Sequence, residues 1–360
     1  MSYCTKCLNP IEEKNTFTKE LIKQVYLRDE KPWIIGYSGG KDSSALLKLV
    51  INGLIEIDFP KKLITVVYCD TGVEIPVISN YVKKTIRDLR KECKAKELPI
   101  QFKILKPKIE DRYFVKVIGR GYPPPTNIFR WCTDRLRINP VKQITDNAKN
   151  SILLLGIRSG ESLERDRTIA KHSLEEAFFL KQVNNKNIRI FSPILDYSIK
   201  DVRRTIKYVK YPIAIKDEVI GKLYKDADTE CPVFREVKGQ PCGKGRFGCW
   251  TCTVVRKDKA VTNMVSNGYV ELGPLLKFRN WLAEYRDNPK IRCKQRRNGV
   301  EGLGPITLKG RKRILAKLRV ASKESGLELL PEEELKHIKL LWKKDRNSFK
   351  YMAIDTAANK

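Results

Sequence analysis

The strongest constraint on the fold is a glycine-rich hexapeptide that follows a short apolar run and precedes an amphipathic segment. Its residues are Ser38, Gly39, Gly40, Lys41, Asp42 and Ser43. Glycines let the backbone turn tightly and aim N–H groups at one point, where the N-terminus of a following helix adds positive charge. We therefore predict an anion-binding loop between a strand and a helix, the alternative being a purely structural turn. The GxxxxGK[ST] spacing of a Walker A loop is absent from the hexapeptide.

Apolar runs alternate with amphipathic segments over residues 30–212. The predicted strands are WIIGY, LITVVYC, QFKILKP, SILLLG and RIFSPIL, and most of the segments between them predict helices. This alternation is typical of parallel βαβ units, so we predict an α/β fold with a doubly wound parallel sheet. Ligands of such sheets bind beyond the carboxyl ends of the strands, where the glycine-rich loop lies.

The character of the sequence changes near residue 213. Cysteine, glycine and proline are dense over residues 222–253, and the rest of the chain is basic with helical periodicity. We expect four regions: an N-terminal segment with the Cys4–Cys7 CxxC pair (1–29), the α/β domain (30–212), a four-cysteine module (213–253) and a basic, mainly helical region (254–360).

The charge of the chain favours a polyanionic partner. Among 360 residues, 72 Lys and Arg stand against 42 Asp and Glu, a formal net charge of +30. Nucleic acid, an anionic membrane and nucleotides are the usual partners of such a charge, and neutralised phosphates would give salt-dependent affinity for DNA. Basic residues concentrate over 256–319, where Phe278, Trp281 and Tyr285 are interleaved. The alternative is an ordinary solvated surface.

We expect a cytoplasmic protein with no membrane partner. No apolar run approaches the roughly 18 residues that cross a bilayer, and the N-terminus has no apolar signal core. In that reducing compartment, clustered cysteines are metal ligands or catalysts. Cys231, Cys242, Cys249 and Cys252 follow the spacing C-x10-C-x6-C-x2-C. Four thiolates bind either Zn²⁺ or a [4Fe–4S] cluster, and the single close pair favours the cluster over zinc and over unrelated cysteines.

A lone cysteine, Cys132, lies at the predicted start of a helix. The helix dipole and the neighbouring Arg130, Arg135 and Arg137 favour its thiolate, the nucleophilic form. An inert buried thiol is the alternative. Arg135 and Arg137 are equally candidates for binding the phosphates of a nucleotide or of a substrate backbone.

Two further arginines follow the SILLLG run. Arg158 and Arg165 lie where a guanidinium would stabilise charge on a transferring phosphate. For Arg165, a solvated helix start is the alternative.

The glycine-rich loop resembles the PP-loop of the adenine nucleotide α-hydrolase superfamily, the N-type ATP pyrophosphatases. Asp70-Thr71-Gly72 resembles the DTG of the phosphoadenylyl-sulfate reductase branch, and Gly156-Ile157-Arg158 resembles a second phosphate or adenylate contact. The resemblance implies that ATP is the cofactor. The implied ATP contacts are residues 38–43, Asp70, Thr71, Gly72, Gly156 and Arg158.

The same resemblance implies catalytic roles within the nucleotide site. Lys41 and Arg158 would neutralise the polyphosphate together with Mg²⁺. Asp42 is the implied Mg²⁺ contact, with Asp70 second. A turn-forming role is the alternative for Asp70.

Further motifs narrow the resemblance. The combination of SGGKDS, RWCTDRLRINP, LGIRSGES and the four-cysteine spacing resembles the sulfurtransferases of DNA phosphorothioation, the DndC family and its counterpart in the related Ssp system. It covers about residues 30–260. It implies a [4Fe–4S] cluster on the four cysteines, and Cys132 as a persulfide carrier loaded by a cysteine desulfurase.

The function that this resemblance implies is an ATP-dependent enzyme of a DNA restriction-modification or defence system. It would adenylylate a DNA backbone phosphate oxygen, release pyrophosphate and replace the oxygen with sulfur, together with other phosphorothioation-system proteins. The alternatives are a phosphoadenylyl-sulfate reductase, a tRNA thiolase and a non-catalytic DNA-binding subunit that senses ATP. No cysteine follows Cys293, which disfavours a reductase with a redox cysteine near the C-terminus.

Overall fold

The structure of the protein, a computed structural model, describes residues 10–147, 150–161, 163–181, 188–227 and 248–346. Six strands are found in these ranges. They are β1 (Trp33–Gly36), β2 (Ile64–Cys69), β3 (Ile100–Leu105), β4 (Ile152–Leu154), β5 (Phe179–Lys181) and β6 (Arg189–Phe191).

Twelve helices accompany these strands in the described ranges. They are α1 (Pro10–Leu27), α2 (Lys41–Ile55), α3 (Pro76–Ala95), α4 (Trp131–Thr133), α5 (Asn139–Asn147), α6 (Leu163–His172), α7 (Ile199–Tyr208), α8 (Asp217–Asp226), α9 (Lys259–Ser266), α10 (Gly273–Tyr285), α11 (Leu308–Ser325) and α12 (Glu332–Arg346). Two π-helical turns, Val115–Gly119 and Asp134–Ile138, and three 3-10 turns, Ile109–Asp111, Val270–Leu272 and Pro289–Ile291, join some of them.

The strands form one sheet in the order β3-β2-β1-β4-β6-β5. The first five strands of this order run parallel, and β5 pairs antiparallel with β6 at one edge. The predicted α/β fold is confirmed, whereas the short antiparallel edge strand was not predicted from the sequence. Strand order reverses between β1 and β4, and open sheets of this kind bind their ligands in a crevice at the carboxyl ends of the strands beside such a reversal.

Alternate residues of the central strands enter two separate cores. Trp33 and Ile35 of β1 belong to the larger core, which also contains residues of α1, α2 and α7. Ile34, between them, belongs to a smaller core on the other face, where Ile144 of α5 packs. Helices therefore cover both faces of the sheet, as a doubly wound architecture requires.

The terminal helices share the larger core. Ile11 and Ile22 of α1 are buried in it, and so are Ile314 of α11 and Ile338 of α12. Helix α1 was not predicted from the sequence, although it contacts both α2 and α7. None of the described helices combines the length and the apolar character that a membrane crossing needs.

Some of the basic residues beyond residue 254 point into the protein. Arg279 is 1% exposed and donates from Nε to the carbonyl of Cys252 at 2.8 Å. Arg292 and Arg311 are buried as well. Carbonyl oxygens accept from each of the three guanidinium groups, which offsets the cost of removing a charge from water.

Two of the aromatic residues of the same region are also buried. Phe278 is 4% and Tyr285 8% exposed. Their rings therefore belong to the core rather than to the surface of the basic region.

Leu46 tests the position of α2 at the centre of the fold. Its side chain is fully buried, so Leu46→Ala should lower the free energy of unfolding by about 2–5 kcal/mol. Leu27→Ala, at a side chain that is 65% exposed, should change it by about 0.5 kcal/mol or less. Urea denaturation of both variants measures the difference, and equal losses would contradict the assignment of α2 to the core.

Candidate functional site

The glycine-rich loop (residues 38–43) closes the carboxyl end of β1 and starts α2. Gly39 has φ 74°, in the left-handed region, and a Cβ there would lie 2.2 Å from Val82 Cγ2. Ser43 Oγ accepts from the Ser38 N–H at 3.2 Å and donates to the Gly40 carbonyl at 3.1 Å. The loop is thus a compact turn that directs the N-terminus of α2 at the crevice, as the sequence predicts.

The loop after β4 packs directly on the back of the glycine-rich loop. A Cβ on Gly156 would lie 2.8 Å from the backbone carbon of Asp42 and 2.9 Å from the Ser43 nitrogen. Arg158, 3% exposed, donates from Nε to the Asp42 carboxylate and from Nη1 to the Tyr197 carbonyl at 3.1 Å. Arg158 therefore holds Asp42 in place from the protein interior.

A cationic cleft lies beside the glycine-rich loop. Lys41 Nζ is 5.1 Å from the ring centroid of Tyr224, whose hydroxyl accepts from the Lys41 N–H at 3.3 Å. An open cavity of about 310 Å³ is lined by Lys41, Tyr224, Arg203 and Lys207, among others. Sequence reasoning missed Arg203 and Lys207, although their i,i+4 spacing on α7 places two cations on one helix face.

The loop after β2 carries Asp70, Thr71 and Gly72. The Asp70 carboxylate is 4% exposed; it accepts from the Gly72 N–H at 3.1 Å and lies 2.9 Å from Lys83 Nζ. These bonds fit the turn-forming alternative for Asp70. The structure places the loop at the carboxyl end of β2, next to β1, as predicted.

The cysteine turn (residues 249–252) attaches to this same loop. The Trp250 N–H donates to the Val73 carbonyl at 3.0 Å, and Cys249 forms an isolated bridge with Glu74. Cys249 Sγ lies 3.9 Å from Thr71 Oγ1, and Arg137 Nη2 donates to it at 3.8 Å. Thr71, in the loop after β2, is thus in direct contact with the cysteine turn.

Glu74 is a buried acid that sequence reasoning missed. Its Oε1 accepts from the Thr71 N–H at 3.1 Å and from the Thr71 hydroxyl at 2.5 Å. Burial raises the pKa of its carboxyl group, and the Asp70 carboxylate acts in the same direction. The sequence signal for this bond was the position of Glu74 three residues after Thr71, where a carboxylate can accept from the Thr71 N–H.

Cys132 lies at the start of the helical segment that continues through α5, as predicted. Its thiol is half-buried. Burial raises the pKa of the Cys132 thiol, and Cys252 adds to this effect, while Arg137 lowers the pKa. Burial and Cys252 therefore act against the expected thiolate at Cys132, and Arg137 acts in its favour.

The two arginines after Cys132 have different surroundings. Arg137 faces Cys249, whereas Arg135 Nη1 lies 3.7 Å from Asp111 Oδ1. In the structure, the Arg135 and Arg137 guanidinium groups therefore have different partners. The Arg165 side chain lies outside the described residues.

The cysteine turn fits part of a four-thiolate metal site. The Cys252 N–H donates to the Cys249 carbonyl at 3.0 Å, so one tight turn presents both thiols. Burial raises the pKa of the Cys249 thiol to about 11, an effect that a bound cation reverses. Cys231 and Cys242 lie outside the described residues, and within the described ranges no three Cys, His, Asp or Glu side chains converge on one metal position.

Sequence comparison places the sheet and the cysteine turn in one known domain. The phosphoadenosine phosphosulfate reductase domain matches residues 32–255, from β1 to just beyond the cysteine turn. The chain belongs to this family. Its glycine-rich loop is therefore the PP-loop of a phosphoadenosine phosphosulfate reductase domain, within the PP-loop ATP pyrophosphatase superfamily.

Two curated relatives come from Methanocaldococcus jannaschii and are themselves uncharacterized. One is 28% identical over 272 residues, which is 75% of this chain and 45% of the relative. The other is 29% identical over 253 residues, 69% of this chain and 49% of the relative. The chain thus spans about half the length of the curated relatives that it matches.

Solved structures with a similar fold include two enzymes. Phosphoadenylyl-sulfate reductase from Candida auris is 12% identical with a TM-score of 0.37, covering 62% of this chain and 93% of its own. The U34-tRNA thiolase NcsA from Methanococcus maripaludis is 14% identical with a TM-score of 0.37, covering 79% of this chain and 82% of its own.

Gly156→Ala tests the contact between the two loops. The added methyl group would overlap backbone atoms that cannot move independently, so we expect the free energy of unfolding to fall by about 1–3 kcal/mol. Gly273→Ala is the matched control, because a Cβ there meets nothing within 4 Å. Denaturant unfolding of both variants measures the effect. Unchanged stability in Gly156→Ala would mean that the loops do not pack as described.

Proposed function

We propose that the protein is an ATP-dependent sulfurtransferase that replaces a backbone phosphate oxygen of DNA with sulfur. The observation that carries this proposal is the contact of Thr71 with Cys249 at 3.9 Å. It joins the loop after β2, a proposed nucleotide contact, to the cysteine turn, which supports nucleotide activation and sulfur chemistry within one crevice. Within the family, this supports the phosphorothioation sulfurtransferases of the Dnd and Ssp systems.

The PP-loop side of the crevice would hold ATP. Residues 38–43 bind the β- and γ-phosphates, because the turn and the N-terminus of α2 converge there. Lys41 supplies a mobile charge, and Arg203 and Lys207 line the adjacent cleft. Asp42, fixed by Arg158, is the proposed contact for Mg²⁺, which would neutralise the polyphosphate when bound.

The reaction divides into two displacements at phosphorus. A non-bridging oxygen of the DNA phosphodiester attacks the α-phosphorus of ATP, and pyrophosphate leaves. The terminal sulfur of a Cys132 persulfide then attacks the DNA phosphorus, and AMP leaves with the original oxygen. An external thiol attacks the Cys132 sulfur and releases the phosphorothioate, and a second external thiol reduces the resulting mixed disulfide.

Activation is required because a phosphodiester anion repels nucleophiles. Adenylylation turns its oxygen into part of a good leaving group, AMP. A cysteine desulfurase would supply the persulfide sulfur, and other proteins of the same system would select the DNA site. The net charge of +30 supports a polyanionic substrate.

We assign Cys231, Cys242, Cys249 and Cys252 to a [4Fe–4S] cluster. The half-buried thiols of Cys249 and Cys252 supply two of the donors from one turn. The cluster would provide an electron-rich metal centre at the sulfur side of the crevice.

Phosphoadenylyl-sulfate reduction is the second candidate, because the matched domain carries that name. The two activities use different nucleotides. A reductase consumes phosphoadenylyl sulfate and releases sulfite without any need for ATP or DNA. Sulfite release from that substrate would favour the reductase and contradict the proposal.

Lys41→Ala tests the nucleotide half of the proposal. Wild-type protein with ATP, Mg²⁺ and DNA should release pyrophosphate, and Lys41→Ala should slow this release about 100-fold or more, because charge on the departing diphosphate loses its neutralising group. Lys61→Ala, an exposed lysine away from the loop, is the control. No pyrophosphate from the wild type would instead favour a subunit that only binds ATP.

Anaerobic purification with iron and sulfide assays tests the cluster. We expect about four irons per chain, lost in Cys249→Ser because a ligand is removed. Cys93→Ala, at a buried cysteine of α3, should keep the iron. One zinc per chain and no iron would overturn the cluster assignment and support the zinc alternative.

A further inference from the structure

An apolar surface lies immediately before Cys132, in the loop that joins the first π-helical turn to α4. We call Tyr122, Ile128, Phe129 and Arg130 the aromatic patch. Ile128 is 98% and Phe129 45% exposed, two adjacent apolar side chains on a strongly charged protein. Neither Ile128 nor Phe129 packs in the core or lines the cleft beside the glycine-rich loop, although Tyr122 packs partly against the core.

The patch is held rigidly despite its exposure. Phe129 stacks on Tyr122 with 6.4 Å between ring centroids and 18° between planes. Tyr122 packs edge-on against Trp131, whose Nε1 donates to the Pro123 carbonyl at 3.0 Å. The Phe129 N–H also donates to Thr126 Oγ1 at 3.0 Å. A preformed aromatic stack avoids the entropic cost of ordering on binding.

Cations surround this stack. The Arg297 guanidinium lies 5.2 Å from the Tyr122 ring centroid, and Lys116 Nζ lies 5.2 Å from it as well. An open cavity of about 500 Å³ is lined by Phe129, Arg130 and Arg135 with the other patch residues, Trp131 and the single acid Asp134. Its size is within the range of about 300–1,000 Å³ for ligand pockets.

The loop beneath the patch is tied to the cysteine turn. Thr253 Oγ1 donates to the Pro125 carbonyl at 2.7 Å, and Arg286 Nη1 donates to the same oxygen at 2.8 Å and to the Thr253 carbonyl at 3.1 Å. The Tyr113 hydroxyl donates to the Thr251 carbonyl at 3.3 Å. A ligand on the patch would therefore be fixed relative to the cysteine turn.

The geometry points to the aromatic patch as the binding site for a nucleic-acid strand with unpaired bases, in which one base stacks on the exposed face of Phe129, backed by Tyr122, and the flanking phosphates meet Arg130, Arg135 and Arg297. Aromatic rings accept the face of any base, and arginines neutralise the adjoining phosphates. A protein partner would gain from Ile128 and Phe129 but not from the cations around them. This inference rests on the proposed function and deepens it, since a strand opened there would bring its backbone towards Cys132.

Fluorescence anisotropy with a short labelled single-stranded DNA, its duplex and the matching RNA tests the inference. Wild-type protein should bind the single strand more tightly than the duplex. Phe129→Ala should weaken single-strand binding about 10- to 100-fold through loss of stacking, and Phe129→Tyr should restore it. Phe17→Ala, at another exposed phenylalanine in α1, is the matched control and should bind like the wild type. Arg297→Ala should reduce the slope of log affinity against log salt concentration by about one released counterion, because one phosphate contact is lost.

Binding by the Phe129 variant and release of pyrophosphate together distinguish failure of the stacking site from failure of the sulfurtransferase proposal. Equal single-strand affinity in wild type and Phe129→Ala would overturn the inference, and a change of oligomeric state in that variant instead would identify the patch as an interface between copies. RNA binding that depends on Phe129 and exceeds DNA binding would support the stacking site but count against DNA as the substrate. Strong Phe129-dependent binding without ATP-dependent pyrophosphate release would keep the inference and overturn the sulfurtransferase.

Discussion

The contact between the loops after β1 and β4 determines the geometry of the crevice. Gly156 allows the backbone of the second loop to lie against Asp42 and Ser43, and Arg158 anchors the Asp42 carboxylate from inside. Because the two strands lie at the reversal of strand order, this contact joins the two halves of the sheet at its ligand-binding edge. The direction of α2, and with it the position of Lys41, follows from this packing.

A second set of bonds places the cysteine turn against the same edge. The Trp250 N–H donates to the Val73 carbonyl and so fixes the turn to the loop after β2. Arg279 donates to the Cys252 carbonyl and so fixes the far end of the turn. Trp250 and Val73 are more than a hundred positions apart in the sequence. The tertiary fold, rather than the local sequence, therefore creates the site. The matched family domain, residues 32–255, includes this turn.

Local patterns were enough to predict the sheet and the PP-loop, because strand periodicity and glycine-rich turns are short-range signals. The three-residue strand β5 escaped prediction, since its pairing depends on β6. Phe278 and Phe129 both lie among basic residues, but Phe278 is buried and Phe129 is 45% exposed, because tertiary packing decides which ring is covered. The raised pKa of Cys132 was missed for a similar reason, since burial is not visible in the sequence.

The inward-facing arginines change how the positive charge of this chain should be counted. Arg279, Arg292 and Arg311 contribute to the formal total, yet their guanidinium groups are enclosed by carbonyl oxygens and by Asp345. A scan that neutralises every cation of the C-terminal helices would mix two unrelated losses, weaker attraction of a polyanion and collapse of the scaffold. These three cations therefore belong to the scaffold and offer no group for direct contact with a partner.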